Sequence, residues 1–131
     1  MPKLEDLLVD ENAIDQEALA SALAGVVGIA ANGAPHPLGG WSALSERGKV
    51  VATLLSLRAA VLLRKRQSAG VTPSQVAAMS GVAVGTVKRV LREAVDLRIA
   101  AQDASGSYTV SNPALTSAIA QMKQGGARRG R

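Results

Sequence analysis

The clearest periodic signal in the chain lies between Val71 and Val95. Val87, Val90, Leu91 and Ala94 fall at i, i+3, i+4 and i+7, one face of a 3.6-residue period, and Gly85, Thr86, Lys88, Arg89 and Arg92 fall opposite. This spacing predicts a helix from about Ala83 to Val95 with one apolar and one cationic side. Ahead of it, Thr72 is a candidate N-cap with Pro73 at the first helical position, where its missing N–H costs nothing. A short helix through Gln75, Val76, Ala77 and Met79 follows. Ser80–Gly81–Val82 breaks it, with Gly81 supplying the left-handed backbone of a sharp turn.

Other segments are apolar without such a clean stripe. Asp15–Ala31 is predicted as a helix, with Ala18, Leu19, Ala22, Leu23 and Val26 on one face and the early acids Asp15 and Glu17 suited to the positive end of its dipole. Almost nothing after Ala18 is charged, so this helix must be buried in the protein or against a second copy. Its apolar run is shorter than the roughly 20 residues of a membrane-spanning helix. Asn32–Trp41 is rich in Pro and Gly and is predicted as a loop that no element crosses. A helix capped by Ser42 or Ser45 then runs to about Gln67. Its Val50, Val51, Leu54, Leu55, Leu57, Val61, Leu62 and Leu63 cover more of its girth than one small partner hides. Beyond Val95, Arg98–Gln102 and Ser107–Val110 are predicted strands around an Asp103–Gly106 turn, with Leu97, Ile99, Tyr108 and Val110 facing the core. Asn112–Pro113 opens a last short helix over Ala114–Lys123, and Met1–Asp10 is at best weakly amphipathic.

Ala77, Gly81 and Val87 carry a resemblance. They stand where the helix-turn-helix of the winged-helix DNA-binding superfamily has a small residue at the helix crossing, a turn glycine four residues on, and an aliphatic six beyond. The resemblance spans roughly Ser45–Val110. It implies a mainly α fold: a three-helix core plus a two-stranded β-hairpin wing, to which this chain adds an N-terminal helical arm and a C-terminal helix. Ala83 departs from the pattern, because the family often has a capping Ser or Thr there; the missing cap costs the helix about 1 kcal/mol.

Charge sharpens the division. Residues 1–45 hold one lysine against six acids, whereas residues 46–131 hold fourteen Lys and Arg against four acids, and the whole chain carries +5. Three segments follow: an acidic apolar arm with its Pro/Gly loop (1–41), a basic domain (42–124) and a basic tail (125–131). A basic domain suits a polyanion, because neutralising phosphates releases condensed counterions. With 47% hydrophobic but only 2% aromatic residues, the core must be aliphatic. No cysteine means no disulfide and no thiolate site, which neither requires nor excludes a reducing compartment; with an acidic N-terminus and no visible signal peptide, the cytoplasm is the default expectation.

Enzymatic chemistry finds few parts. His36 is the sole histidine, has no carboxylate at ligand spacing, and reads as an ordinary loop residue; Trp41 reads as an anchor of that loop. There is no nucleophile–His–acid set, no HExxH and no phosphate-binding loop, so neither metal nor cofactor is expected. The expected chemistry is recognition of double-stranded DNA by the helix 83–95 in a major groove. Arg89 is the first choice for a guanine, Thr86 for a thymine methyl or a phosphate, Lys88 and Arg92 for backbone, and Gly85 for close approach. Ser74 and Gln75 would meet phosphate at the preceding helix, and Arg98 is the only cation of the wing. One such module makes few contacts, so a homodimer through apolar helices 15–31 and 49–63 is expected, reading half-sites about one or two turns apart. The same scaffold would suit a small transcriptional regulator or a plasmid or viral partition or replication factor. A protein–protein scaffold that never touches DNA is the alternative.

Overall fold

Helix α2 (Glu46–Leu62) is the element on which the others pack. Ser45 caps it, accepting from the Gly48 amide, and Glu46 sits in the first turn at the positive end of the dipole. From Val50 to Leu57 every residue is buried, two of them polar. Each polar group is satisfied within the helix: Thr53 Oγ1 donates to the Lys49 carbonyl at 2.8 Å and Ser56 Oγ to the Thr53 carbonyl at 2.8 Å. A helix buried all round needs neighbours on every side. The computed structural model, which describes Leu4, residues 16–110 and residues 117–122, supplies them.

On one side lie α3 (Pro73–Ser80) and α4 (Val84–Asp96). Thr72 caps α3 as its sequence predicts, with Pro73 in the first turn, and Gln75 completes a reciprocal capping box. Gly81 ends α3 at φ 77°, a conformation that costs glycine little, and its amide donates to the Ala77 carbonyl. The Ser80 hydroxyl accepts from the Val82 amide at 3.2 Å, bracing the turn. Beyond α4 a hairpin forms from β3 (Ala100–Gln102) and β4 (Tyr108–Val110), paired Ala100 to Val110 and Gln102 to Tyr108. Val71 adds a bridge to Tyr108 through two backbone hydrogen bonds of 3.1 and 2.8 Å, which ties the entry to α3 to the hairpin. From α2, Arg58 Nε and Nη2 donate to the Val110 carbonyl at 3.2 and 3.0 Å.

The other side of α2 corrects the expected arm. The helix proposed for Asp15–Ala31 is only α1 (Gln16–Leu23). The chain turns at Gly25, φ 75°, and continues as strand β1 (Val27–Ile29). Its partner β2 (Pro35–Pro37) lies inside the segment expected to hold no element, and a 3-10 turn (Gly39–Ala43) follows. Strand wins because Val26, Val27 and Ile29 are β-branched and Asn32–Gly33 closes a tight turn: the Asn32 side chain accepts from the Ala34 amide at 3.0 Å and Gly33 takes φ 85°. His36 is thus an exposed strand residue, while Trp41 is buried as an anchor. A single hydrophobic cluster takes in Leu19, Leu23, Val27 and Trp41 together with α2, α3, α4 and the hairpin.

Smaller corrections have equally local causes. Helix α2 stops at Leu62 rather than near Gln67, because Arg64 adopts φ 61° and the Lys65 amide turns back to the Ala60 carbonyl at 2.8 Å. Helix α4 ends the same way: Arg98, φ 62°, is a left-handed closing residue rather than the start of a strand. That closure throws Leu97 outward, 55% exposed instead of facing the core, while Ile99 and Val110 are buried and Tyr108 half-buried. Residues 117–122 are helical, and the Met122 carbonyl comes so close to Gly48 of α2 that a Cβ on Gly48 would stand 3.0 Å from it. Apart from Leu4, which is exposed, the expected elements at Met1–Asp10, at Asn112–Pro113, at the start of the last helix and in the basic tail lie outside the described residues. The result is a helix-rich fold with an antiparallel β-hairpin after its last long helix. No helix among the described residues is long and apolar enough to cross a membrane.

Candidate nucleic-acid interface

Helix α4 divides cleanly. Val87, Val90, Leu91 and Ala94 are buried against α2 and α3, and Gly85, Lys88, Arg89, Arg92 and Asp96 are exposed along the opposite side. Spacings of three and four residues place these on one continuous stripe. The cations are uncovered because the apolar face satisfies the packing by itself. Thr86 is half-buried at the edge of the stripe. Ala83 offers no side-chain cap, so the first turn of α4 keeps amide donors for an outside acceptor. A Cβ on Gly85 would meet nothing within 4 Å, so that surface is open to a close partner.

The remaining expected contacts are dispersed. Ser74 and Gln75 are exposed in the first turn of α3, but the Gln75 carbonyl oxygen already accepts from the Thr72 amide at 3.0 Å. Only its two N–H donors can serve a phosphate. Arg98 is exposed past the C-terminus of α4, at the root of the hairpin and off the α4 stripe.

The hairpin tip is anionic and prebuilt. Asp103 Oδ1 accepts from the Ser105 hydroxyl at 2.6 Å, the Ser105 amide at 2.9 Å and the Ser107 amide at 3.0 Å. The Ser105 hydroxyl, followed by the Ser107 amide, holds this carboxyl below its ordinary value of 3.8. A tip of this charge repels phosphate. Val71–Tyr108 pairing and the packing of Gly70 against Ser107 set this part of the hairpin beside the start of α3.

Two features of this face escape sequence reasoning. Val84 is 42% exposed in the first turn of α4, an apolar group that suits a thymine methyl; its position one residue ahead of Gly85 was the available signal. Arg47, in the first turn of α2, reaches Glu93 of α4 at 2.6 Å, and Glu93 also stands 3.7 Å from Arg89. Nothing local in the sequence announces a pair separated by 46 positions.

A second surface lies away from this stripe. Leu19, Leu23, Val27, Ile29, Leu38 and Leu62 line an apolar cleft of about 330 Å³ between α1, the first hairpin and the end of α2. Leu38 and Leu63 at this cleft are 42% and 60% exposed. With no charged side chain in its lining, the cleft lacks the few placed polar groups that orient a small polar ligand. Among the described residues no cluster of His, Cys, Asp and Glu could hold a metal ion. No family model, curated protein or solved structure matches the chain, so its own geometry carries the functional argument.

Proposed function

We propose that the chain is a winged-helix protein that binds double-stranded DNA with α4 in the major groove, as a small dimeric regulator of transcription. The observation that supports this most is the exposed stripe Gly85–Lys88–Arg89–Arg92, held outward by an apolar face fixed on α2 and α3. In this reading α2, α3 and α4 are the three-helix core and β3–β4 the wing. Arg89 reads guanine O6 and N7, Lys88 and Arg92 bind backbone, and Gly85, Thr86 and Val84 line the groove side of the first turn. The wing adds little, since its tip carries Asp103 and no cation. Two copies meet through the apolar cleft between α1 and the end of α2, a surface that already offers both protruding leucines and a hollow to receive them.

Selection from a random duplex pool at graded salt tests this directly. A palindromic motif is expected, with affinity that falls steeply with salt. Arg89→Ala should relax sequence preference, whereas Lys88→Ala should weaken all duplexes alike. Sedimentation should show a dimer at tens of micromolar, and Leu63→Lys should return it to a monomer. The anionic wing favours one competitor, a winged-helix scaffold that docks other proteins and leaves DNA alone. Absence of enrichment, with affinity indifferent to salt, would overturn the DNA-binding reading and favour that alternative.

A further inference from the structure

Glu93 is an acid beside a surface that must meet phosphate, and the proposed function gives it no task. Its Oε1 is 2.6 Å from Arg47 Nη2 and 3.7 Å from Arg89 Nη1. The first contact is a short charge-assisted hydrogen bond; the second is a Coulombic contact beyond hydrogen-bond reach. One oxygen therefore faces two guanidiniums and is bonded to the one on α2. Exposure follows the same order: the side chains of Arg47, Glu93 and Arg89 are 33%, 40% and 61% exposed.

We infer that Arg47 and Glu93 form a positioning device for Arg89, in which the α2 guanidinium holds the α4 carboxylate back and so leaves the Arg89 fork open to a base edge. This rests on the DNA-binding reading above. Arg89 and Glu93 are one helical turn apart, and Arg ahead of Glu at i,i+4 is the weaker order of such a pair. Alone it yields readily to a competing cation, and Arg47 is that cation. Without Arg47 the carboxylate has a single guanidinium within reach. A fork engaged by a carboxylate cannot also pair with guanine O6 and N7. Arg47 thus raises discrimination without touching DNA, by keeping Glu93 too occupied to capture Arg89.

A purely structural tie between α2 and α4 makes a different prediction. Breaking it from either end would lower stability and DNA binding together. The device instead predicts opposite signs. The full chain and its variants are compared on the duplex enriched by the wild type, with each guanine replaced in turn by 7-deazaguanine, which lacks the N7 acceptor. Wild type should lose affinity at one guanine by about 5-fold or more, short of the roughly 150-fold upper worth of a full bidentate contact because O6 remains. Arg47→Ala should lose most of that discrimination, and Arg47→Gln, which keeps part of the side-chain stem and folds more safely, should do the same. Arg47→Lys should retain it. Glu93→Gln should keep the discrimination and bind all duplexes more tightly. Arg47→Ala combined with Glu93→Gln should return to within about twofold of Glu93→Gln alone, the non-additivity expected of coupled groups. An equal loss from Arg47→Ala in both backgrounds would make Arg47 a direct phosphate contact and overturn the inference. Unchanged discrimination in every variant would overturn it as well, with DNA binding intact. Failure of the wild type to bind any duplex in a salt-dependent way would overturn the DNA-binding reading and this inference with it.

Discussion

Replacing Gly85 with Ala separates folding from recognition, because the two respond with opposite signs. Gly85 is the second residue of α4, its φ is not in the left-handed region, and a Cβ there meets nothing within 4 Å. Folding therefore meets no clash and no strained backbone. An interior Gly→Ala change in a helix is worth about 0.8–1 kcal/mol, and the first turn, with part of its hydrogen bonding unmade, should realise about half of that. A gain of about 0.5 kcal/mol in a domain of this size raises the melting midpoint by about 1–3 °C. Recognition should suffer instead. The added methyl projects from the stripe that carries Lys88, Arg89 and Arg92, at the end of α4 that the proposed complex brings nearest the groove floor. A retreat sufficient to lose one good base contact costs about 1–3 kcal/mol, or roughly 5–150-fold in affinity. Thermal unfolding and fluorescence anisotropy at fixed salt measure the two effects on one preparation. A more stable variant with undiminished affinity would refute the placement of the α4 N-terminus in the groove. A less stable one would refute the account of Gly85 itself.

Gly81→Ala meets no steric neighbour either, yet its φ of 77° imposes a left-handed cost of about 1–2 kcal/mol, seen as a lower urea midpoint at unchanged slope. Arg58→Met keeps the aliphatic stem but withdraws two donors from the Val110 carbonyl; a loss of about 1.5–3 kcal/mol is expected, with hairpin amides exchanging faster than those of α2. Asp103 has its folded value depressed below 3.8, so the order it lends the hairpin tip is complete above that pH and is lost as pH falls through the depressed value. The Ser105 and Ser107 amide resonances should therefore titrate with a midpoint below 3.8; a midpoint above 3.8 would contradict the hydrogen-bonded tip.

The second half of the chain was legible because its signals are local. Thr72 with Pro73, the left-handed Gly81 and the 3.6-residue spacing of Val87, Val90, Leu91 and Ala94 each act within a few residues, and each stands where its chemistry demands. The first half failed where two local rules competed. Leu19, Ala22, Leu23 and Val26 fit a helical stripe, and the apolar run onward to Ala31 extends it without a charged residue to break it. Asn32–Gly33 behind a β-branched run is equally a hairpin signal, but Pro35 and Pro37 disguised its second strand. Proline is tolerated there because β2 is an edge strand of a two-stranded sheet. Along α4 the division into buried and exposed positions was readable from the spacing. The Arg47–Glu93 contact was not, because it depends on how α2 lies against α4.

Charge on the described surface also bounds the assembly. Along α4 the stripe offers Lys88, Arg89 and Arg92, and the tip of the β3–β4 hairpin offers an acid. With a slope of log K against log salt of about −0.9 for each phosphate neutralised, one copy using these three cations reaches at most about −3. Two copies reach about −5. A slope near −5 from a chain that sediments as a monomer would therefore require cations beyond α4. The cluster Arg64–Lys65–Arg66, where α2 ends, is one such supply among the described residues, and it lies at the cleft end of α2, next to Leu62 and Leu63. Neutralising that cluster should leave the slope of a dimer unchanged and flatten that of a monomer. The same measurement thus decides between recognition by paired α4 helices and diffuse attraction to a basic surface.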